Sequence, residues 1–273
     1  MVDATAEWTI RAALPADEVA LQPLLAPPGQ AHTLVPGADD EDLLVAVRTA
    51  GGAVAPAGTA PVLGCVRVRR GVGLHRPRYW YHVGWAVHAA PALDLYHRQR
   101  TLLLGNDLTG AWEIADLACH AAVLDPAGQA ALLRQLLAAA LQRIAGRRAA
   151  APVAASDAGD GARVICELPG VRDAAGRSPF WDSLGHRFYD GDPRVAAERF
   201  GPAWKTHVAA LLPREPLLVS FLSVPAQQAL GRAAASAAIQ AAVLHAAGLR
   251  AGQHVTIDDA GPVFEGDLDL VRA

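Results

Sequence analysis

The chain has 273 residues, 52% of them hydrophobic, with a formal net charge of −3. A mean hydropathy of +0.19 supplies core material for one large domain or two small ones, but Arg, Gln or Asp break every apolar run before the ~20 residues a membrane span needs. The slight acidity leaves no footprint for nucleic acid.

Asp3 and Glu7 stand where a secretion signal carries basic residues, so the cytoplasm is the expected location. Cys65, Cys119 and Cys166 are widely spaced and form no C-x-x-C pair, which argues for three buried thiols and against disulfides or structural zinc. Lys205 is the only lysine.

In chain order, residues 8–11 read as a strand and 15–25 as a helix that starts at Pro15. A second helix is expected over 39–49. Residues 51–61, rich in Ala, Gly and Pro, read as an exposed hairpin loop, and 62–70 as a half-buried strand in which Val66 and Val68 alternate with Arg67 and Arg69. Residues 79–89 alternate too, with Tyr81, Val83, Trp85 and Val87 on one face and Trp80, His82, Ala86 and His88 on the other. His82 and His88 would lie roughly 20 Å apart along such a strand and cannot share one reacting atom. Strands over 101–105 and 112–119 are expected to be antiparallel neighbours joined by the turn formers of 106–110.

A period of 3.6 over 129–144, with Leu133, Leu136, Leu137, Ala140, Leu141 and Ile144 on one stripe, predicts a helix packed on that sheet. Gly146 should end it, with Arg147 and Arg148 at its negative pole. Residues 149–161 read as a linker, dividing the chain into 1–148, 149–162 and 163–273. A strand (163–168), helices (179–189, 193–200, 203–211), a strand (217–222), an Ala-rich helix (234–247) and a last strand (254–258) follow. No G-x-S-x-G, H-E-x-x-H, P-loop or dinucleotide fingerprint is present.

The stretch 163–189, RVICELPGVRDAAGRSPFWDSLGHRFY, follows no generic helix or strand pattern. With YWYHVGWAVHA at 79–89, LLLGNDLTGAWE at 102–113 and DAGPVFE at 259–265, it resembles the arginine N-succinyltransferase family. The resemblance implies a GNAT-like acyl-CoA N-acyltransferase fold of the α/β class: a mixed, mostly antiparallel sheet flanked by helices, with a C-terminal α/β extension. It implies transfer of a succinyl group from succinyl-CoA, a co-substrate, to the α-amine of arginine, with no permanently bound cofactor and no nucleic-acid or membrane partner. Assembly with itself or with a related chain stays open. Family members continue beyond the DAGP segment, and that further piece is expected to bear on a domain or a subunit contact.

Such chemistry needs a base for the amine, an N–H for the thioester carbonyl and backbone N–H groups for the CoA pyrophosphate. The resemblance places Glu113, where a central strand opens, as the base, with His88 as the other candidate. Asn106, Asp107 and Thr109 would bind the acceptor or cap their turn, Asp107 being suited to a guanidinium. Ser178, Trp181, Lys205 and Asp259 fall on family positions that would contact substrate, although Ser178-Pro179 also reads as a helix N-cap. Gly128, Gln129 and Ala130 would hold CoA, in a loop with fewer glycines than the family's. The family's glutamate falls on Ala210 and its Ile-Gly-Gln-Val-His on Leu230-Gly231-Arg232-Ala233-Ala234. The alternative is therefore a degenerate paralogue that serves as a partner subunit or amino-acid-binding module.

Overall fold

The computed structural model describes residues 8–25, 40–50, 53–54, 61–150 and 162–271. Among them eleven strands form one sheet: β1 (Trp8–Ala12), β2 (Glu41–Ala50), β3 (Ala53–Val54), β4 (Val62–Arg69), β5 (Trp80–Ala90), β6 (Leu95–Gly105), β7 (Trp112–Cys119), β8 (Arg163–Glu167), β9 (Leu217–Leu218), β10 (Arg250–Val255) and β11 (Pro262–Asp267). The spatial order is β1-β2-β4-β7-β8-β11-β10-β5-β6-β9, with β3 beside β2. All pairs are antiparallel except β7 and β8.

Helix α2 (Pro126–Ala150) covers one face of the centre. Its Leu132, Leu133, Leu136, Leu137, Leu141 and Ile144 bury against Val66, Val68, Trp112, Ile114, Val164 and Cys166, each fully buried leucine stabilising by about 1.5–3 kcal/mol. Helix α7 (Ala238–Ala246) adds Val243 and Leu244 to the same core. On the other face α1 (Glu18–Leu25) seats Leu21 on Leu43, Val45, Val47 and Cys65. The short helices α3 (Pro179–Ser183), α4 (Pro193–Phe200), α5 (Trp204–Ala209) and α6 (Val224–Ala229) gather Phe180, Trp181, Trp204, Val208 and Ala226 around Tyr81, Leu102 and Leu104.

Several expectations are corrected. The helix expected over 39–49 gives way to a strand in its described residues: β2 lies between β1 and β4 with both faces covered, Val45 toward α1 and Ala46 toward α2, and a strand buried on both sides has no period that separates it from a buried helix. β6 and β7 are not neighbours. The turn at 106–110 forms, with the Thr109 N–H donating to Asn106 O at 2.9 Å, but Leu108 is fully buried with Val72, Trp80, Ile165 and Val263. That plug carries the chain across the sheet to β7, whose two edges are taken by β4 and β8.

β4 is buried on both faces, Arg67 included at 6% exposure. α2 runs through Gly146, where an added Cβ would meet open space, because an exposed helix glycine costs only about 1 kcal/mol. The strand expected over 217–222 is cut to two residues by a 3-10 turn, and 254–258 is the end of a β10/β11 hairpin that, like α6, escaped the sequence reading. Cys65 and Cys166 are buried as expected; Cys119 is half-buried. Most of 51–61 and 151–161 lies outside the described residues.

Candidate functional site

β7 and β8 pair only through Trp112↔Val164 and Glu113↔Ile165. Beyond that point the parallel strands are no longer in register contact, so Glu113 sits at the mouth of an opening in the sheet. Because side chains alternate along a strand, Glu113 and Glu167 lie on the face away from α2, whereas Trp112, Ile114 and Cys166 lie beneath it. Asp116, at φ +53°, is an extra residue opposite Val66: the register steps from Arg67↔Ala115 to Cys65↔Ala118. This bulge returns Leu117 to the α2 core.

Glu113 is 1% exposed, yet it forms the floor of a cleft of ≈ 380 Å³ walled by Arg69, the 70–78 loop and α5. Its Oε1 accepts from Arg78 Nη1 at 2.8 Å and its Oε2 from Arg69 Nη1 at 3.0 Å. Arg78 also donates to Glu167 Oε2 at 2.8 Å, and Glu167 Oε1 accepts from the Trp80 indole at 2.6 Å. Lys205 Nζ lies 2.9 Å from Asp258 and 3.7 Å from Glu167. Arg172 pairs with Asp258 at 3.3 Å and Asp259 at 3.0 Å, while Arg69 and Arg67 share Glu41 at 2.6 and 3.1 Å.

The result is an unbroken chain of alternating charge from Asp259 to Glu41 that links four strands (β2, β4, β7 and β8), the 70–78 loop and α5. Burial alone would raise the Glu167 pKa, but Arg78, Lys205 and Trp80 hold it at about 2. Lys205 is pushed up by Asp258 and Glu167 against its burial. Asp258, buried and beside Asp259, is raised in spite of Lys205. The 70–78 loop is fixed from both sides: Gly110 N–H donates to Val72 O at 2.8 Å and Thr206 Oγ1 to Pro77 O at 2.7 Å. Thr109 packs on Gly73, whose φ of +83° an L side chain rarely adopts. At the rim, Arg70 and Arg76 are exposed and, among the described residues, form no ion pair, which gives the mouth a field that favours anions.

The structure brings Glu113 and Lys205 to this cleft and seats Asp259 behind Lys205, through Arg172 and Asp258. His88 is exposed on β5 opposite His97, eight residues beyond Trp80 or about 26 Å along a strand, and is not brought to Glu113. Asn106 is exposed in its turn. Asp107 accepts from His254 Nε2 at 3.2 Å, while His254 Nδ1 lies 2.7 Å from Glu265. This buried imidazole between two carboxylates was invisible in the sequence because its hairpin was not recognised; His82 stacks on it edge-on at 5.3 Å.

Ser178 caps α3, accepting from the Trp181 N–H at 3.1 Å. Trp181 is packed by Tyr189 and Trp204, each ring 6.3 Å away. At α2 the Gly128 N–H donates to Asp125 Oδ1 at 2.7 Å and Gln129 Nε2 to Leu124 O at 2.8 Å, so the groups expected to hold pyrophosphate are satisfied by the loop itself. Ala130 lines an apolar crevice against α7. Arg69, Arg78 and Glu167 were missed as site residues. The signal for Arg69 was its place on the polar side of an alternating strand, which was read as solvent.

The arginine N-succinyltransferase beta subunit family matches residues 54–273. Over 223 residues the chain is 36% identical to the arginine N-succinyltransferase of Enterobacter sp. (strain 638), taking in 79% of this chain and 59% of that protein. The same identity and coverage hold over 215 residues for the arginine N-succinyltransferase of Escherichia coli O17:K52:H18 (strain UMN026 / ExPEC). The chain thus spans 59% of the length of these curated relatives. Among solved structures, arginine/ornithine succinyltransferase subunit AI from Pseudomonas aeruginosa superposes with a TM-score of 0.70 at 20% identity, covering 97% of this chain and 78% of that one; the likeness shows a GNAT-like fold. Among the described residues no helix is long and apolar enough to cross a membrane. The chain belongs to the arginine N-succinyltransferase family.

Proposed function

We propose that the chain transfers a succinyl group from succinyl-CoA to the α-amine of arginine, in the cytoplasm and without a permanently bound cofactor. The observation that carries this reading is Glu113, a buried carboxylate on the floor of a cationic cleft where β7 parts from β8, in a chain of this family. The amine nitrogen attacks the thioester carbon, its proton must leave, and the C–S bond breaks as the thiol departs. Each Glu113 oxygen accepts from an arginine, and those bonds compete with that proton. Both substrates carry a carboxylate, and one that binds Arg78 or Arg69 competes with Glu113 for the guanidinium and frees an oxygen. Binding and base activation are then one event. The start of α2 lies beyond the far end of β7, some 20 Å from Glu113, a span the pantetheine arm would bridge.

A second reading, a partner subunit or amino-acid-binding module, is favoured by the self-satisfied loop at Asp125 and Gln129. Ala234, on the family's histidine position, bonds to Pro169 O just beyond β8, so the site would lack that imidazole. Calorimetric titration with succinyl-CoA and then arginine, with release of free thiol followed in parallel, separates the two. The transferase reading expects binding of both and arginine-dependent thiol release, lowered at least about 100-fold in Glu113→Gln, the scale of general-base catalysis. No heat with succinyl-CoA, or equal turnover in the variant, would overturn it.

A further inference from the structure

Beyond the body of the sheet, β5 and β6 run on together as an arm. They stay paired from Trp80↔Gly105 to Ala90↔Leu95. Among the described residues, however, β10 borders β5 only at Tyr81 and His82, and β9 borders β6 only at Thr101 and Leu102. From Trp85 to Ala90 the arm therefore projects about 20 Å with no strand on either side. Its surface is apolar: Trp85, Val87, Leu93, Leu95 and Tyr96 are each 47–77% exposed. The ladder sets Trp85, Val87 and Ala89 opposite Arg100, Arg98 and Tyr96 on one face, and that face continues the line of Tyr81 and Val83 packed on the core. The alternation that builds the core runs on past the point where the fold covers it.

The two edges of the arm differ in chemistry. On the β6 side, residues 95–100 read LYHRQR and carry Arg98 and Arg100. This edge is also engaged by the chain itself: Ser220 Oγ donates to Gln99 Oε1 at 3.3 Å and Arg100 Nη2 to Gln227 O at 3.2 Å. On the β5 side, residues 84–90 read GWAVHAA, with no Lys, Arg, Asp, Glu or Pro. Natural edge strands are blunted by such charges and prolines, and an edge without them is a template for another strand. A two-stranded hairpin alone is also marginally stable in water, whereas three or more strands hold together.

We propose that the free edge of β5 is an interface between two copies of this chain, residues 84–90 pairing antiparallel with the same residues of the second copy about a two-fold axis at Val87. An antiparallel pair about a two-fold axis presents the same patch from both sides, so an edge without charge matches its own copy, whereas β6 would bring arginines together. With the axis at Val87, the two Val87 side chains meet, and each Trp85 lies beside the small Ala89 of the other copy on the same face. The ring of Trp85 already carries the Arg98 guanidinium at 4.6 Å. The slot is open where β10 stops pairing at His82, and it takes a strand of ordinary length. Two bare hairpins then become one four-stranded ribbon. This interface rests on the arm alone and does not depend on the transferase reading.

The test is sedimentation equilibrium of the full chain. At about 100 μM its mass should be twice the 28.5 kDa of one chain, and dilution should dissociate it. Val87→Lys sets two ammonium groups opposite each other and should raise the dissociation constant at least about tenfold, whereas Val87→Thr, equal in shape and uncharged, should change it less than about threefold. Val87 is 54% exposed, and circular dichroism checks that both variants fold. Hydrogen exchange of the unaltered chain reads the same contact without a substitution: the amides of 84–90 should gain protection as concentration rises. A single-chain mass at about 100 μM means that the arm is bare or meets a different protein. A dimer that survives Val87→Lys, or a gain in protection confined to residues outside 84–100, puts the contact elsewhere. Any of these results overturns the proposal.

Discussion

Replacing Arg78 by Met removes the one cation that bridges the two buried carboxylates of the cleft, Glu113 at 2% and Glu167 at 15% side-chain exposure. The cost can be worked from both ends of the bridge. Stranding a partner of a buried ion pair costs about 3–5 kcal/mol. Glu113 keeps Arg69 at 3.0 Å and Glu167 keeps Trp80 at 2.6 Å and Lys205 at 3.7 Å, which places the loss at the lower end, about 3 kcal/mol. Glu167 is held down from 4.5 to about 2 by Arg78, Lys205 and Trp80 together, against its burial. The largest downward pull comes from Arg78.

The sign of the pH dependence follows. A depressed carboxylate contributes its stability in full above 4.5 and loses it as pH falls toward 2. In Arg78→Met the pKa of Glu167 rises, so the carboxyl protonates earlier and less stability remains to be lost. Urea midpoints followed by circular dichroism from pH 7 down to pH 3 should therefore show a gap that is largest near neutrality and narrows with acid. A gap below about 1 kcal/mol at pH 7, the scale of an exposed pair, or one that stays constant with pH, would refute the reasoning.

Two further changes test parts of the frame outside the cleft. The His254 pKa is lowered by burial but raised more by Glu265 and Asp107, for a net increase above 6.5. Its stabilisation is therefore complete below 6.5 and lost as pH rises through the higher folded value. His254→Gln should cost about 1–2 kcal/mol at pH 6, discounted because Asp107 is half exposed, and less at pH 9, as read from urea midpoints. A Cβ at Gly170 would run into the backbone of Asp259 and Gly261, so Gly170→Ala should destabilise by about 1–3 kcal/mol, whereas Gly146→Ala, facing open space in α2, should stabilise by about 0.5–1 kcal/mol in thermal unfolding.

Local pattern carried the elements whose partners are close in sequence. The α2 stripe, the Pro15 and Pro179 helix starts and the strands β4, β5 and β7 appear where the local sequence places them. What it could not carry was pairing across distance. β6 and β7 are adjacent in sequence with turn formers between them, and nothing local says that Leu108 is a core residue that must reach Ile165 and Val263. The β10/β11 hairpin, which brings Glu265 to His254, turns through residues 256–261, where Asp259 Oδ1 accepts from Thr256 Oγ1 at 2.7 Å and from Gly261 N at 3.1 Å. Such an Asp-centred turn resembles any other polar loop in sequence.

The site divides in the same way. Glu113 stood out because it ends a family-like segment, but its partners Arg69 and Arg78 come from β4 and the 70–78 loop, and Glu167 and Lys205 behind them from β8 and α5, each of which alone reads as an ordinary charged position. One signal was nevertheless open to reading. Along Trp112-Glu113-Ile114-Ala115-Asp116-Leu117-Ala118-Cys119 the α2-facing residues fall at 112 and 114 and then at 117 and 119, so the parity of the strand changes at Asp116. A strand that keeps one face buried can change parity only by inserting a residue. The bulge was thus written in the alternation, and so was its consequence: Asp116 is freed from the ladder to accept from Arg67 at 2.6 Å, and through Arg67 and Glu41 it steadies Arg69 against the floor of the cleft.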